Sequence, residues 1–413
     1  QKSNSGEKGR KGNHHPHKPT MRFGPDGMLV GKRHNGGWLQ AHRKDALAVT
    51  YSGVILAVSS YRKLALMKMI PLGRTGLMVS DWCLGTMTFG NQTPQADASR
   101  QIDMALDAGL NFLDTAEMYP VNPIAAETVG NSERAIGHWR AQSSRRDDML
   151  IATKVSGDNP GWVRDGKGYD GDVIRAAVDQ SLERLQADTI DLYQLHWPMR
   201  GSYMFRQNWT FDPSKQNRQQ TMDHMGDVLR AMDDVVKAGK VRAFGLSNES
   251  CWGTSQWLRL AEEMGAPRVA AVQNEYSLMC RLYDTDMSEM AVNEDVVLLS
   301  FSPLATGLLT GKYQNGAVPT GSRMSISSEL GGRMTERTLP AVQAYLDVAS
   351  KHGLDPVHMA MAWQATRPFA VSAIFGATTS EQLAHLLAGK DLILSEDVLK
   401  DIDAAHRTYP MPY

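Results

Sequence analysis

The chain has 413 residues, 42% of them hydrophobic and 22% charged, with a formal net charge of −1. These values exclude a disordered chain, and no apolar run approaches the roughly 20 residues that a membrane helix needs. They also exclude a strongly basic nucleic-acid binder, although the total averages two unlike parts: residues 1–68 carry 13 Lys/Arg against 3 Asp/Glu, and residues 69–413 carry 31 against 42. The first part is polar, lacks periodicity and holds 5 of the 12 histidines, so residues 1–68 read as a disordered or extraneous basic leader, with the start of the working protein at Met67 or Met69. A signal peptide over residues 43–66 is disfavoured because Thr50, Tyr51 and Ser52 interrupt its apolar stretch. Cys83, Cys251 and Cys280 form no CxxC pair, and their sparse, odd number fits a reducing compartment, the cytoplasm.

From Met69 onward, elements alternate. Ile70–Leu72 and Leu77–Ser80 flank Gly73-Arg74-Thr75-Gly76 and predict a short hairpin. Eight strand-like runs follow: Trp82–Gly85, Phe112–Asp114, Met149–Lys154, Ile190–His196, Val241–Ser247, Val269–Asn274, Val296–Phe301 and Val371–Gly376. Between them lie helical patterns. The first, Pro94–Ala108, has Thr93 as its expected N-cap and Pro94 at its first position. Asp172–Leu185, Thr221–Ala238, Thr254–Met264, Pro356–Ala365 and Ser380–Leu387 continue the series, and Thr335–Lys351 and Ser395–His406 are extra to it. Eight strand–helix units predict an α/β fold, a (β/α)8 TIM barrel over residues 69–413 with an N-terminal capping hairpin and extra helices. A doubly wound sheet is the alternative. It is disfavoured because Gly85-Thr86-Met87-Thr88-Phe89-Gly90 does not match GxGxxG, and Gly307 to Tyr313 is one residue short of a P-loop.

Barrel chemistry lies at the C-terminal ends of the strands. Here the second strand ends in Asp114, the third in Lys154 and the fourth in His196. Each alone is ordinary as a loop cap or a solvated rim residue. Together, on three adjacent strands, they place an acid, an amine and an imidazole at one mouth. Tyr119 follows Asp114 by five residues, on the loop above. Tyrosine is a poor acid at neutral pH, but a neighbouring ammonium lowers its pKa. Tyr119 is therefore expected to protonate a carbonyl oxygen while hydride reaches its carbon. Lys154 tunes it, Asp114 holds Lys154, and His196 hydrogen-bonds the substrate oxygen.

The segments Asn111-Phe112-Leu113-Asp114-Thr115-Ala116-Glu117-Met118-Tyr119, Asp191-Leu192-Tyr193-Gln194-Leu195-His196-Trp197-Pro198 and Gly239 through Asn248 resemble the aldo-keto reductase family, its bacterial Tas-like branch in particular. The resemblance runs from Ile70 to near the C-terminus. It implies a barrel that reduces aldehydes or ketones with NADPH and without a metal. Carried over to this chain, it makes Tyr119 the general acid, with Asp114, Lys154 and His196 around it. Ser247, Asn248 and Gln273 would then hold the nicotinamide carboxamide, and Phe301 would stack on its ring. Gly85 and Thr86 would meet the cofactor from the first strand. Ser302, Leu304, Gly307, Leu309 and Gly311 would line the pyrophosphate, and Gly376, Thr378 and Gln382 the adenosine. The sequence departs from the family at Thr378-Thr379-Ser380-Glu381-Gln382, which has no cation for a 2′-phosphate. Lys312 or Arg323 would have to supply that charge, and NADH is the alternative cofactor.

Tyr203, Phe205, Trp209 and Phe211 suggest either an aromatic-lined pocket mouth or the packing of a long insertion. The expected partner is a small-molecule carbonyl substrate, with no nucleic acid and no membrane. No metal is expected: there is no HExxH, and His352 and His358 stand six apart. The alternative function is a cofactor-binding regulatory or channel-associated scaffold protein with little turnover.

Overall fold

In the computed structural model, residues 67–413 are described, together with the backbone of three short strands upstream: β1 (Arg22–Phe23), β2 (Leu29–Lys32) and β3 (Trp38–Leu39). Those three form an antiparallel sheet in the order β1-β2-β3, within a unit of their own over residues 1–64. The remainder of the expected leader lies outside the described residues.

The second unit opens with the hairpin of β4 (Met69–Pro71) and β5 (Met78–Ser80), paired Met69 to Ser80. Eight strands follow: β6 (Trp82–Gly85), β7 (Phe112–Asp114), β8 (Leu150–Val155), β9 (Ile190–Leu195), β10 (Val241–Ser247), β11 (Val269–Glu275), β12 (Val297–Phe301) and β13 (Val371–Phe375). They close into a barrel in chain order, every neighbouring pair parallel. Around it lie α1 (Gln95–Asp107), α2 (Asn131–Gln142), α3 (Gly171–Leu185), α4 (Arg218–Lys237), α5 (Cys251–Met264), α6 (Asp286–Glu294), the short α7 (Arg323–Ile326), α8 (Thr338–Lys351), α9 (Pro356–Gln364), α10 (Ser380–Ala388) and α11 (Glu396–Thr408). The fold is the expected (β/α)8 barrel, and no helix among the described residues is long and apolar enough to cross a membrane.

The hairpin closes the N-terminal end of the barrel. Ile70, Leu72, Leu77 and Val79 pack in one cluster with the inward side chains Phe112, Ala152, Leu192, Ala243, Ala271 and Val297. Gly73 needs its lack of a side chain here: its φ is +56°, and a Cβ would lie 2.8 Å from the carbonyl oxygen of Ala270.

Local details correct the sequence reading. Thr93 is not the cap of α1. Pro94 holds that position without a side-chain bond, and the Thr93 hydroxyl instead donates to the carbonyl of Thr378 at 2.9 Å, tying α1 to the strand-eight loop. Helices α2, α6 and the short α7 lie outside the helical patterns of the sequence. In α2, Gly137 sits where a Cβ would stand 2.2 Å from the Arg184 carbonyl of α3. The same helix buries Glu133, whose carboxylate accepts from Thr153 and Arg184 at 2.6 Å each.

Candidate active site

Side chains on a strand alternate between its faces, so residues two apart share one face. On four strands the inward face changes character in one such step: Phe112 to Asp114, Ala152 to Lys154, Leu192 to Gln194, and Ala271 to Gln273. The lower members belong to the apolar interior. The upper members form a buried polar layer above it, with Lys154 and Gln194 fully buried and Asp114 and Gln273 nearly so.

Asp114 is the hub of that layer. Its Oδ2 accepts from Lys154 Nζ at 2.7 Å. Its Oδ1 accepts from Gln273 Nε2 at 2.8 Å and from Gln194 Nε2 at 3.3 Å. Lys154 donates a second bond to the Thr115 carbonyl at 2.7 Å. Thr86 donates from its hydroxyl to the Asp114 carbonyl at 2.9 Å, fixing the backbone beneath the carboxylate. An isolated charge at this depth is prohibitively desolvated, but a paired and hydrogen-bonded one is tolerated. Burial pulls the Lys154 ammonium down, yet Asp114 and the Tyr119 hydroxyl together carry it above the ordinary lysine value, so it remains a cation.

The structure brings Tyr119 and His196 to this cation. Lys154 Nζ lies 4.8 Å from the centroid of the Tyr119 ring, and the rings of Tyr119 and His196 stand edge to face at 5.7 Å. The expected lowering of the Tyr119 pKa is not what results. Burial raises it above the ordinary tyrosine value, and Lys154 opposes that rise by charge and hydrogen bonding without overcoming it. The hydroxyl therefore keeps its proton as the protein stands. Burial, with the Lys154 charge adding to it, holds His196 well below the ordinary histidine value, so the imidazole is neutral. A neutral imidazole donates one N–H and accepts at the other nitrogen. Nδ1 of His196 is buried without a partner.

Ser247, Asn248 and Gln273 also meet. The Ser247 hydroxyl and the Asn248 N–H both donate to the Gln273 carbonyl at 2.9 Å, and Asn248 Nδ2 donates to the His196 carbonyl at 2.9 Å. Asn248 takes a φ of +54°, a conformation that asparagine adopts more readily than most residues. Its Oδ1 is buried without a partner, an acceptor that suits an amide N–H₂ such as a carboxamide. After Phe301, Ser302, Thr306, Gly307 and Gly311 all have positive φ, so the segment that holds Leu304 and Leu309 winds irregularly. The N–H groups of Ala305, Gly307, Leu309 and Gly311 donate to carbonyls within the segment at 2.8–3.3 Å, which holds these turns in place.

Two cations flank that segment. Lys312 Nζ lies 3.0 Å from where a Cβ on Gly307 would stand. Arg323 has no carboxylate partner among the described residues, and burial, with Arg333 nearby, lowers its pKa to about 10. At the strand-eight loop, the Thr378 N–H donates to Gln382 Oε1 at 2.9 Å, and a Cβ on Gly376 would stand 3.1 Å from the Gly85 carbonyl oxygen. Gln382 thus shapes its own turn with its amide oxygen, an engagement the sequence did not suggest.

An apolar wall stands beside Tyr119. Ala116, Met118, Val121 and Val163 form its core, with Met87, Trp162 and Trp197 packed against them. Trp197 contacts the His196 ring at 4.8 Å and the Phe205 ring at 6.2 Å. Tyr203 instead pairs with Phe211 at 6.0 Å, and Trp209 is exposed. Sequence reasoning missed Gln194, whose signal was its place two residues before His196. It also missed Glu117, whose carboxylate accepts from the Ser156 N–H at 2.6 Å and from Arg164 at 2.8 Å, latching the loop after β8 beneath the wall.

Residues 82–407 match the family model described as the Aldo/keto reductase family. The chain is 42% identical to "Protein tas" of Escherichia coli (strain K12) over 344 residues, 82% of this chain and 97% of that protein. It is 32% identical to the "Uncharacterized oxidoreductase YrpG" of Bacillus subtilis (strain 168) over 334 residues, 80% of this chain and 93% of that one. It is also 32% identical over 354 residues to a "Probable voltage-gated potassium channel subunit beta" of Arabidopsis thaliana, 82% and 96% respectively.

Proposed function

Because the chain belongs to the aldo/keto reductase family, an oxidoreductase family, we propose that its barrel domain, residues 69–413, reduces aldehyde or ketone carbonyls to alcohols with NADPH. One observation carries this reading: the Tyr119 ring lies 4.8 Å from the buried Lys154 ammonium and stands edge to face with the His196 ring at 5.7 Å.

Bound NADPH would supply the hydride. Asn248 Oδ1, with Ser247 and Gln273, offers polar partners for its carboxamide, and Phe301 a flat face. The left-handed turns from Ser302 to Gly311 suit its pyrophosphate, and Lys312 and Arg323 supply positive charge for a 2′-phosphate. Gly85, Thr86, Gly376, Thr378 and Gln382 shape the ends of β6 and β13 around the remainder.

The chain's own residues then handle the proton. His196 donates its N–H to the carbonyl oxygen and orients it. Tyr119 passes its proton to that oxygen, and Lys154 stabilises the phenolate left behind. Positioned general acids contribute about 10²–10⁴-fold to rate. Asp114 keeps Lys154 in place and offsets its charge. The wall of Met87, Val121, Trp162 and Trp197 favours a carbonyl compound with an apolar body. The three free thiols support a cytoplasmic location as part of the same reading.

The alternative, a regulatory protein with little turnover, draws on the relatives named as channel β subunits. A single-turnover experiment separates the two: bound NADPH mixed with 4-nitrobenzaldehyde should be oxidised well above the buffer rate. Tight NADPH binding without oxidation would favour the regulatory reading instead.

A further inference from the structure

We propose that Asp355, His358 and His385 form a binding site for a divalent transition-metal ion of the zinc type, built on two helices of the outer layer. Asp355 caps α9: its Oδ1 accepts from the N–H groups of Val357 at 2.8 Å and His358 at 3.1 Å. Its other oxygen, Oδ2, faces His385 Nε2 at 2.9 Å. His358 follows one helical turn after Asp355, and its Nε2 lies 2.7 Å from the carbonyl oxygen of His385. A carbonyl only accepts, so Nε2 of His358 carries the proton and Nδ1 holds a lone pair. An imidazole tied through its second nitrogen to a backbone carbonyl is how proteins orient metal-binding histidines.

One donor atom from each of the three residues lies within 4.8 Å of the others. Donors around tetrahedral zinc stand roughly 3.3–3.5 Å apart, given bonds of about 2.0–2.2 Å. The His385 side chain is half exposed, and its bond to Asp355 would be exchanged for a bond to the ion. Two imidazoles and one carboxylate suit Zn²⁺, Co²⁺, Ni²⁺ or Cu²⁺ rather than Ca²⁺ or Mg²⁺, which take oxygen donors. The protein supplies three ligands, and solvent completes the shell. A bound ion would fasten the first turn of α9 to α10, the helix whose first turn carries Gln382.

The test uses the full chain with His14, His15 and His17 replaced by Gln, because histidine-rich tracts are themselves candidate metal ligands. Co²⁺ titration should give one saturable site per chain with visible d–d absorption, and Zn²⁺ should displace it. In the same background, His385→Gln should weaken binding by about tenfold or more. Asp355→Asn, which retains a capping side chain, should weaken it too. His385→Gln should leave the metal-free melting temperature within about 1–2 °C, as expected for a solvent-exposed substitution. No saturable binding up to millimolar Co²⁺ or Zn²⁺ would overturn the proposal. So would binding that is unchanged by both His385→Gln and His358→Gln.

Discussion

Lys154 and Asp114 form an ion pair of 2.7 Å in the barrel interior, with side-chain exposures of 0% and 3%. Water cannot rescue either partner there, so each depends on the other and on the amides of Gln194 and Gln273. The pair is a stability element and a site element at once.

Removing one charge from a buried pair strands the other, which typically destabilises by about 3–5 kcal/mol. Lys154→Met should therefore lower stability by that order, and so should Asp114→Leu. The double variant should lose less than the sum of the two. Urea unfolding of the three variants checks this, and strictly additive losses would show that the two residues do not act as a pair.

Tyr119→Phe removes the hydroxyl and keeps the ring that packs against His196 and the apolar wall. NADPH affinity should stay within a factor of a few, while carbonyl reduction falls by about two to four orders of magnitude. Fluorescence titration and steady-state kinetics measure the two separately. Near-normal turnover would remove Tyr119 from its assigned role.

The pH behaviour follows from the surroundings of His196 and Tyr119. His196 is depressed below 6.5 in the folded chain, so the folded state binds fewer protons than the unfolded one as the pH falls. Its stabilising effect is complete above the unfolded value and is lost as pH drops from there toward the folded value. His196→Gln should flatten the acid side of the stability curve measured by urea unfolding between pH 5 and 7.5. Tyr119, raised above 10, keeps its proton through neutrality, so kcat for reduction should stay level across pH 6–8 and decline only on the alkaline side. A kinetic pKa near 7 belonging to either residue would contradict this account.

Arg323 is mostly buried and has no carboxylate partner among the described residues. A charge-assisted hydrogen bond contributes about 1.5–3 kcal/mol, so Arg323→Ala should weaken NADPH binding roughly ten- to hundredfold. NADH, which lacks the 2′-phosphate, should weaken much less. Paired titrations with the two cofactors decide this, and equal losses would assign Arg323 to the pyrophosphate or to the fold.

Much of this was legible in the sequence because parallel barrel strands are buried on both faces and read as continuous apolar runs ending in polar residues. Asp114, Lys154 and His196 stood out as the termini of such runs. Gln194 did not, because it lies inside its run, and only the two-residue periodicity of the barrel interior gives it meaning. Helix α2 was hidden by tertiary contacts: Gly137 and Glu133 look like poor helix-core residues until Arg184 of the neighbouring helix is in place. His358 was noticed beside His352, six residues away, whereas its spatial neighbour His385 lies 27 residues downstream. The sequence points to a lowered Tyr119 pKa because charge partners are visible in a motif but depth of burial, which outweighs Lys154 here, is not.

The hairpin of β4 and β5 covers the end of a barrel whose interior is already filled by side chains. With the far end sealed, every molecule that reaches the polar layer must come and go through one opening, and the deepest occupant leaves last. Any ligand lodged at the rim therefore obstructs entry and exit alike. On the proposed function, turnover would then depend on how readily product leaves by that opening as well as on the chemistry beneath it.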